Sequence, residues 1–304
     1  MKNILLKTSN LTKHYGRQAA VDNISMSVEK GDIYGLIGQN GAGKTTLIRL
    51  ITSLTFADAG QIELMGENSA GGLGKARKRI GCIVEMPAFY PNLTAEQNLE
   101  YYRLQRGIPD RASVINALKL VKLTDTGKKK FKNFSLGMKQ RLGLALSIMN
   151  SPDFIILDEP INGLDPTGII EMRQTLKHLN SQGITILISS HILSELSQVA
   201  TRYGFIHKGR LIKEITDGQL KENCKRALHI VVDNTVKASS ILETQLNITE
   251  YKVISANEMR VYSHLDNPSV VTGKLFQNGL SVNSIYEVGD TLEDYFTTLI
   301  KEEE

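Results

Sequence analysis

The chain has 304 residues, 41% hydrophobic and 22% charged, a balance that excludes a disordered or low-complexity protein. Its 36 Lys and Arg against 32 Asp and Glu leave a net charge of +4, and the basic residues are scattered among acids, which argues against a nucleic-acid binder. Cys82 and Cys224 match no metal or disulfide spacing, no secretory signal is visible, and no stretch reaches the ~20 apolar residues of a membrane span, so a cytoplasmic protein is expected.

The first half alternates strand-like runs with helical patterns, the signature of an α/β domain. Residues 33–37 read as a buried strand ending in a glycine-rich turn, followed by a helix over 45–54. Residues 80–84 read as another strand. After Pro87 the text becomes helical, with one pattern from Thr94 to Val121 opened by Thr94 as N-cap and Gln97 completing a capping box. The lysine-rich run 128–132 reads as a solvated loop. Two short buried strands follow at 154–157 and 184–188, with a helix over 169–180 between them.

From about residue 225 the pattern changes. Segments 228–232, 251–255 and 259–262 are strand-like, Asn257 sits in a hairpin turn, and 291–301 reads as a closing helix before an acidic end, Glu302-Glu303-Glu304, expected to fray. Asp217-Gly218 and the polar stretch 221–223 place a boundary near 220. The expected organisation is a domain over 1–220, with a helical part at about 87–150, and a small α+β domain over 221–304.

The segment Gly38-Gln39-Asn40-Gly41-Ala42-Gly43-Lys44-Thr45 fits G-x-x-x-x-G-K-[ST] between a strand and a helix, the context this motif requires. Its glycines let backbone N–H groups turn toward a phosphate, and the helix start adds partial positive charge. The expected nucleotide-phosphate ligands are Gly38, Asn40, Gly41, Ala42, Gly43, Lys44, Thr45 and Thr46, with Lys44 reaching the β- and γ-phosphates and the Thr45 hydroxyl on Mg²⁺. Downstream, four apolar residues end in Asp158-Glu159. A buried strand would deliver both acids beside the loop, Asp158 holding Mg²⁺ through water and Glu159 polarising the attacking water as general base.

With these motifs in place the chain resembles the ABC ATPase family over residues 3 to 217. The carrying text is Phe134-Ser135-Leu136-Gly137-Met138-Lys139-Gln140-Arg141, similar to the family's LSGGQ signature, although Leu136 and Met138 depart from its commonest form. Ser135 also reads as a plain helix cap. The resemblance implies a P-loop ATPase core with an antiparallel β subdomain and an inserted α-helical subdomain, plus the small C-terminal α+β domain. It implies that Ser135 and Gly137 contact the γ-phosphate held by a second copy, in a homodimer that shares two ATP molecules. It puts Tyr15 against adenine, where a core tyrosine is the alternative. Residues 162–166 resemble the D-loop. His191 falls at the switch histidine, where a structural histidine is the alternative.

Most relatives carry glutamine where this chain has Glu85. Glu85, the stretch Met86-Pro87-Ala88-Phe89-Tyr90-Pro91 behind it, and the C-terminal block ending in Thr291-Leu292-Glu293-Asp294-Tyr295-Phe296 resemble the exporters for bacitracin-type peptides and lantibiotics. That resemblance implies Glu85 near Mg²⁺ or the lytic water, against the alternative of a solvated loop acid. It implies ATP hydrolysis coupled to export of an antimicrobial peptide, giving resistance or immunity. The partner is then an integral membrane permease, with this chain peripheral on the inner face of the membrane. A soluble ABC ATPase acting on the ribosome is the other reading; such chains usually hold two cassettes or a long coiled-coil insertion, and neither is visible.

Overall fold

The computed structural model describes residues 3–85, 88–224, 226–289 and 292–302. Met86, Pro87, Lys225, Thr291 and the acidic end at Glu303-Glu304 lie outside the described residues. The chain divides into two compact units that meet in sequence between Asp217 and Gly218.

The first unit begins with β1 (Ile4–Tyr15), β2 (Gln18–Glu29), β3 (Ile33–Ile37), α1 (Lys44–Ile51), β4 (Ala59–Leu64), α2 (Ala70–Arg77) and β5 (Ile80–Ile83). Helices α3 (Ala95–Gln105), α4 (Ala112–Leu120) and α5 (Leu136–Ile148) follow. It closes with β6 (Phe154–Leu157), α6 (Pro166–Ser181), β7 (Thr185–Ser190), α7 (Leu193–Leu196), β8 (Arg202–His207) and β9 (Arg210–Thr216).

Strands β3, β6 and β7 are buried along their whole length, as near-continuous apolar runs in a two-face-covered parallel sheet must be. They belong to a six-stranded sheet of order β5-β6-β7-β3-β8-β9, parallel except at β9. In β2, Ile24, Met26 and Val28 point inward with period two, and β2-β1-β4 form a separate antiparallel sheet. This is the expected α/β core with an antiparallel β subdomain and inserted helices. All the parallel strands deliver their carboxyl ends to one edge, the place where open α/β sheets bind ligands.

Two expectations are corrected. The helix read over 94–121 is two helices: the capping box at Thr94 and Gln97 forms, but Gly107, with φ 66°, and Pro109 break the pattern between Gln105 and Ala112. The helix read over 45–54 stops at Ile51, because Ser53 adopts a left-handed φ of 64°. Ahead of α3, Phe89 meets Tyr102 of that helix edge-on and lies 5.1 Å from Phe131, whose ring is 5.8 Å from Phe134. This aromatic row runs from the segment after Glu85 to the residue before Ser135.

After α8 (Asp217–Asn223) the second unit runs β10 (Ala227–Val232), α9 (Thr235–Leu246), β11 (Tyr251–Val253), β12 (Glu258–Val261), α10 (Pro268–Gln277), β13 (Val282–Val288) and α11 (Leu292–Glu302). The antiparallel order β11-β12-β10-β13 makes it a split β-α-β arrangement. Leu228, Ile230, Met259 and Val261 pack against Leu242 of α9 and Leu275 of α10. Strand β11 stops two residues short of the expected 255, and β12 lies one residue earlier than 259–262. Asn257, in their turn, donates through Nδ2 to the carbonyls of Val232 and Asp233, both at 3.2 Å.

Candidate functional site

The loop between β3 and α1 is shaped by backbone conformations that only glycine adopts freely. Gly43 has φ 109°, and a Cβ there would run into the carbonyl of Ala20; a Cβ on Gly38 would strike Ile206. Ala42 is buried beneath the loop, its N–H donating to Gln39 O at 3.1 Å. Lys44 opens α1 with only 5% of its surface exposed, and its ammonium donates to Gly38 O at 2.7 Å and Gln39 O at 3.2 Å. A buried ammonium needs such partners, and these hold it at the loop's mouth.

Two further strand ends complete the arrangement. Thr45 Oγ1 donates to Asp158 Oδ2 at 2.8 Å. Ser189, in β7, donates to Asp158 Oδ1 at 2.6 Å and accepts from Glu159 N at 3.0 Å. Both oxygens of the buried Asp158 are thus satisfied. Glu159 takes a left-handed φ of 48° just past β6. Its Oε2 lies 2.8 Å from His191 Nδ1, and its Oε1 lies 3.1 Å from Lys44 Nζ without an aligned hydrogen bond. That oxygen is a buried acceptor with capacity left for another donor.

A cleft of about 240 Å³ gathers Tyr15, Asn40, Gly41, Gly43, Lys44, Thr45, Thr46 and Glu159. Tyr15, half exposed at the end of β1, has Lys13 Nζ 5.7 Å from its ring centroid. Lys13 is anchored in turn to Asp58 at 2.8 Å. That hydrogen bond, and a second from His14 N, hold the Asp58 carboxyl below the usual carboxylate range. Residues Thr45, Asp158 and Glu159 also line a second cavity, of about 310 Å³, with Glu85, Leu136 and Gln140. Glu85 has φ 61°, and its carboxylate pairs with Arg49 of α1 instead of turning to Thr45 or Asp158.

Ser135 caps α5, its Oγ accepting from Met138 N at 3.3 Å. Ser135 and Gly137 border a separate cleft with Asp165 and Thr167, so within one chain they do not join the phosphate loop. Gln140 Nε2 donates to Asn162 O at 2.8 Å, and Arg141 pairs with Glu171 at 3.2 Å, which ties α5 to the segment after Glu159. The sequence reading missed Ser189 and Arg49. Nothing local marks them, since each acts on a residue that only the fold brings near.

The residues suit a nucleoside triphosphate with Mg²⁺. Gly38 and Gly43 leave no room for a Cβ, and the Thr45 hydroxyl and Asp158 are hard oxygen donors. Among the described residues no group of three or more His, Cys, Asp or Glu could hold a metal by itself, in keeping with an ion that keeps waters and phosphate oxygens.

Residues 21–162 match the family model described as ABC transporter. Over 97% of both chains, the sequence is 44% identical to the bacitracin transport ATP-binding protein BcrA of Bacillus licheniformis. It is 43% identical to the lantibiotic transport ATP-binding protein SrtF of Streptococcus pyogenes over 69% of this chain and 90% of that one. Among solved structures, the ATP-binding subunit of an ABC transporter superposes with a TM-score of 0.64 at 28% identity, covering 72% of this chain and 92% of that one. An ATP-binding cassette in its ADP conformation gives 0.66 at 26% identity, covering 73% and 94%.

Proposed function

This chain belongs to the ATP-binding proteins of ABC transporters, and on that footing we propose that it hydrolyses ATP to drive export of an antimicrobial peptide through a separate membrane permease. The observation that carries the ATPase reading is the convergence of Lys44, Thr45, Asp158, Glu159 and His191 from three strand ends into one bonded network. Similarity to bacitracin transport proteins along nearly the whole chain, C-terminal unit included, supports the peptide class.

Lys44 leaves Glu159 for the β- and γ-phosphates as ATP enters. Glu159, released, accepts a proton from the attacking water through the oxygen that has spare acceptor capacity. His191 shifts from Glu159 to the γ-phosphate and registers its loss. Tyr15 stacks on adenine. Thr45 and Asp158 would hold Mg²⁺, which when bound neutralises charge developing on the phosphates, and Glu85 at the cavity wall would reach it only once its pair with Arg49 opens.

Ser135 and Gly137 of a second copy close over the same γ-phosphate, so ATP favours a closed homodimer and hydrolysis reopens it. The domain over 1–220 carries this cycle, and its helical part at about 87–150 passes the motion to the permease. No helix among the described residues is long and apolar enough to cross a membrane; the proposed site of action is the inner face, beside the permease.

The test is bacitracin and lantibiotic susceptibility of cells expressing the chain together with a cognate permease. Resistance lost in Glu159→Gln but present with the parent chain is expected. Equal susceptibility with and without the parent chain overturns the peptide-export reading.

A further inference from the structure

Glu85 brings a negative charge to the wall of a cavity meant for a triphosphate, and the chain supplies a cation for it. Arg49 lies four residues beyond Thr45 on α1, so the two side chains leave the same face of the helix. Its guanidinium pairs with the Glu85 carboxylate, which lines the same cavity as Thr45, Asp158 and Glu159, while Arg49 itself does not line it. Among the described residues no other cation pairs with Glu85. Both partners are solvent-accessible, so the contact is weak enough to exchange when a ligand enters.

We infer that Arg49 is a positioning residue for Glu85: it holds this carboxylate aside and offsets its charge so that Mg²⁺-bound ATP can enter beside Thr45 and Asp158. The inference rests on the ATPase reading of the site. Without Arg49 the carboxylate is free to turn inward and faces the phosphate oxygens uncompensated. Binding suffers, while the groups that touch the reacting atoms stay in place. Glutamine at 85 carries no charge to offset, and Arg49 then has nothing to position.

The experiment compares the full-length parent, Arg49→Ala, Arg49→Lys, Glu85→Gln and the double variant Arg49→Ala/Glu85→Gln in steady-state hydrolysis of Mg²⁺-ATP at low and high KCl. Arg49→Ala is expected to raise KM roughly two- to fivefold with kcat changed less than about twofold. Arg49→Lys retains most of the parent's KM. In the Glu85→Gln background the same Arg49→Ala change leaves KM where it was, and high salt shrinks the effect of the single variant. An equal KM penalty in both backgrounds makes Arg49 a scaffold for α1 and overturns the inference, as does an unmoved KM in Arg49→Ala. A parent chain that binds no ATP by calorimetry sinks the site reading itself. If ATP binds without turnover, the same comparison is read from calorimetric Kd values.

Discussion

Two neighbouring strands end in acids that take the same unusual backbone conformation and meet opposite surroundings. β5 and β6 run parallel with Ile83 beside Leu157, and just beyond them Glu85 and Glu159 have φ of 61° and 48°. Glu159 is 21% exposed and held by Lys44 and His191, while its neighbour Asp158 is locked by Thr45 and Ser189. Glu85 is 63% exposed and held by one surface arginine. A left-handed φ costs energy for a side-chain-bearing residue and persists where the surroundings enforce it. At the end of β6 the enforcement is a buried network suited to fixed chemistry. At the end of β5 the side chain is held only by an exchangeable ion pair, suited to a residue that moves.

The largest difference between these ends is expected in turnover. Glu159→Gln keeps the shape but removes the proton acceptor, and hydrolysis should fall by roughly 10²–10⁴-fold with ATP binding retained. Near-normal turnover by phosphate release would erase the distinction. Lys44→Ala removes the cation that Glu159 now holds and the phosphates are to take. Charged hydrogen bonds contribute about 1.5–3 kcal/mol, so ATP affinity by calorimetry should drop roughly 10- to 100-fold. An unchanged affinity would mean the loop does not grip phosphate.

Ser189→Ala probes the buried end alone. It strands Asp158 Oδ1 and the Glu159 N–H, and should cost about 1–3 kcal/mol in urea unfolding together with a loss of turnover. The smallest effect on chemistry belongs to the exposed end. Glu85→Ala should lower peptide resistance in cells more than it lowers ATPase activity; matching losses would move Glu85 into the chemical step and dissolve the contrast.

How much of this was readable along the chain follows the same division. The phosphate loop is legible because eight consecutive residues carry it, and β6 because an apolar run ending in Asp158-Glu159, by itself as suited to a helix cap, follows such a loop in the same chain. The Thr94 capping box is local as well, and it formed. The break between α3 and α4 was missed, because helical periodicity on both sides outweighed Gly107 and Pro109 in the reading. Ser189 and Arg49 were invisible for another reason. Their meaning depends on β7 lying beside β6 and on α1 facing the end of β5, and no spacing encodes strand order. In the second unit, alternation exposed β10 to β12 but could not tell that β13 would pair with β10.

Sharing of the nucleotide between two copies is the central claim for this molecule. In one chain, Ser135 and Gly137 border a cleft of their own, separate from the one that Lys44 lines, and in the proposed function a second copy brings them to the phosphates. Light scattering of the Glu159→Gln chain during gel filtration with Mg²⁺ and ATP, with ADP, and without nucleotide measures this. The account predicts twice the mass of a single chain with ATP and a single chain's mass in the other two conditions, with Ser135→Arg abolishing the ATP-dependent form. The same mass in all three conditions, or a dimer indifferent to Ser135→Arg, would contradict it.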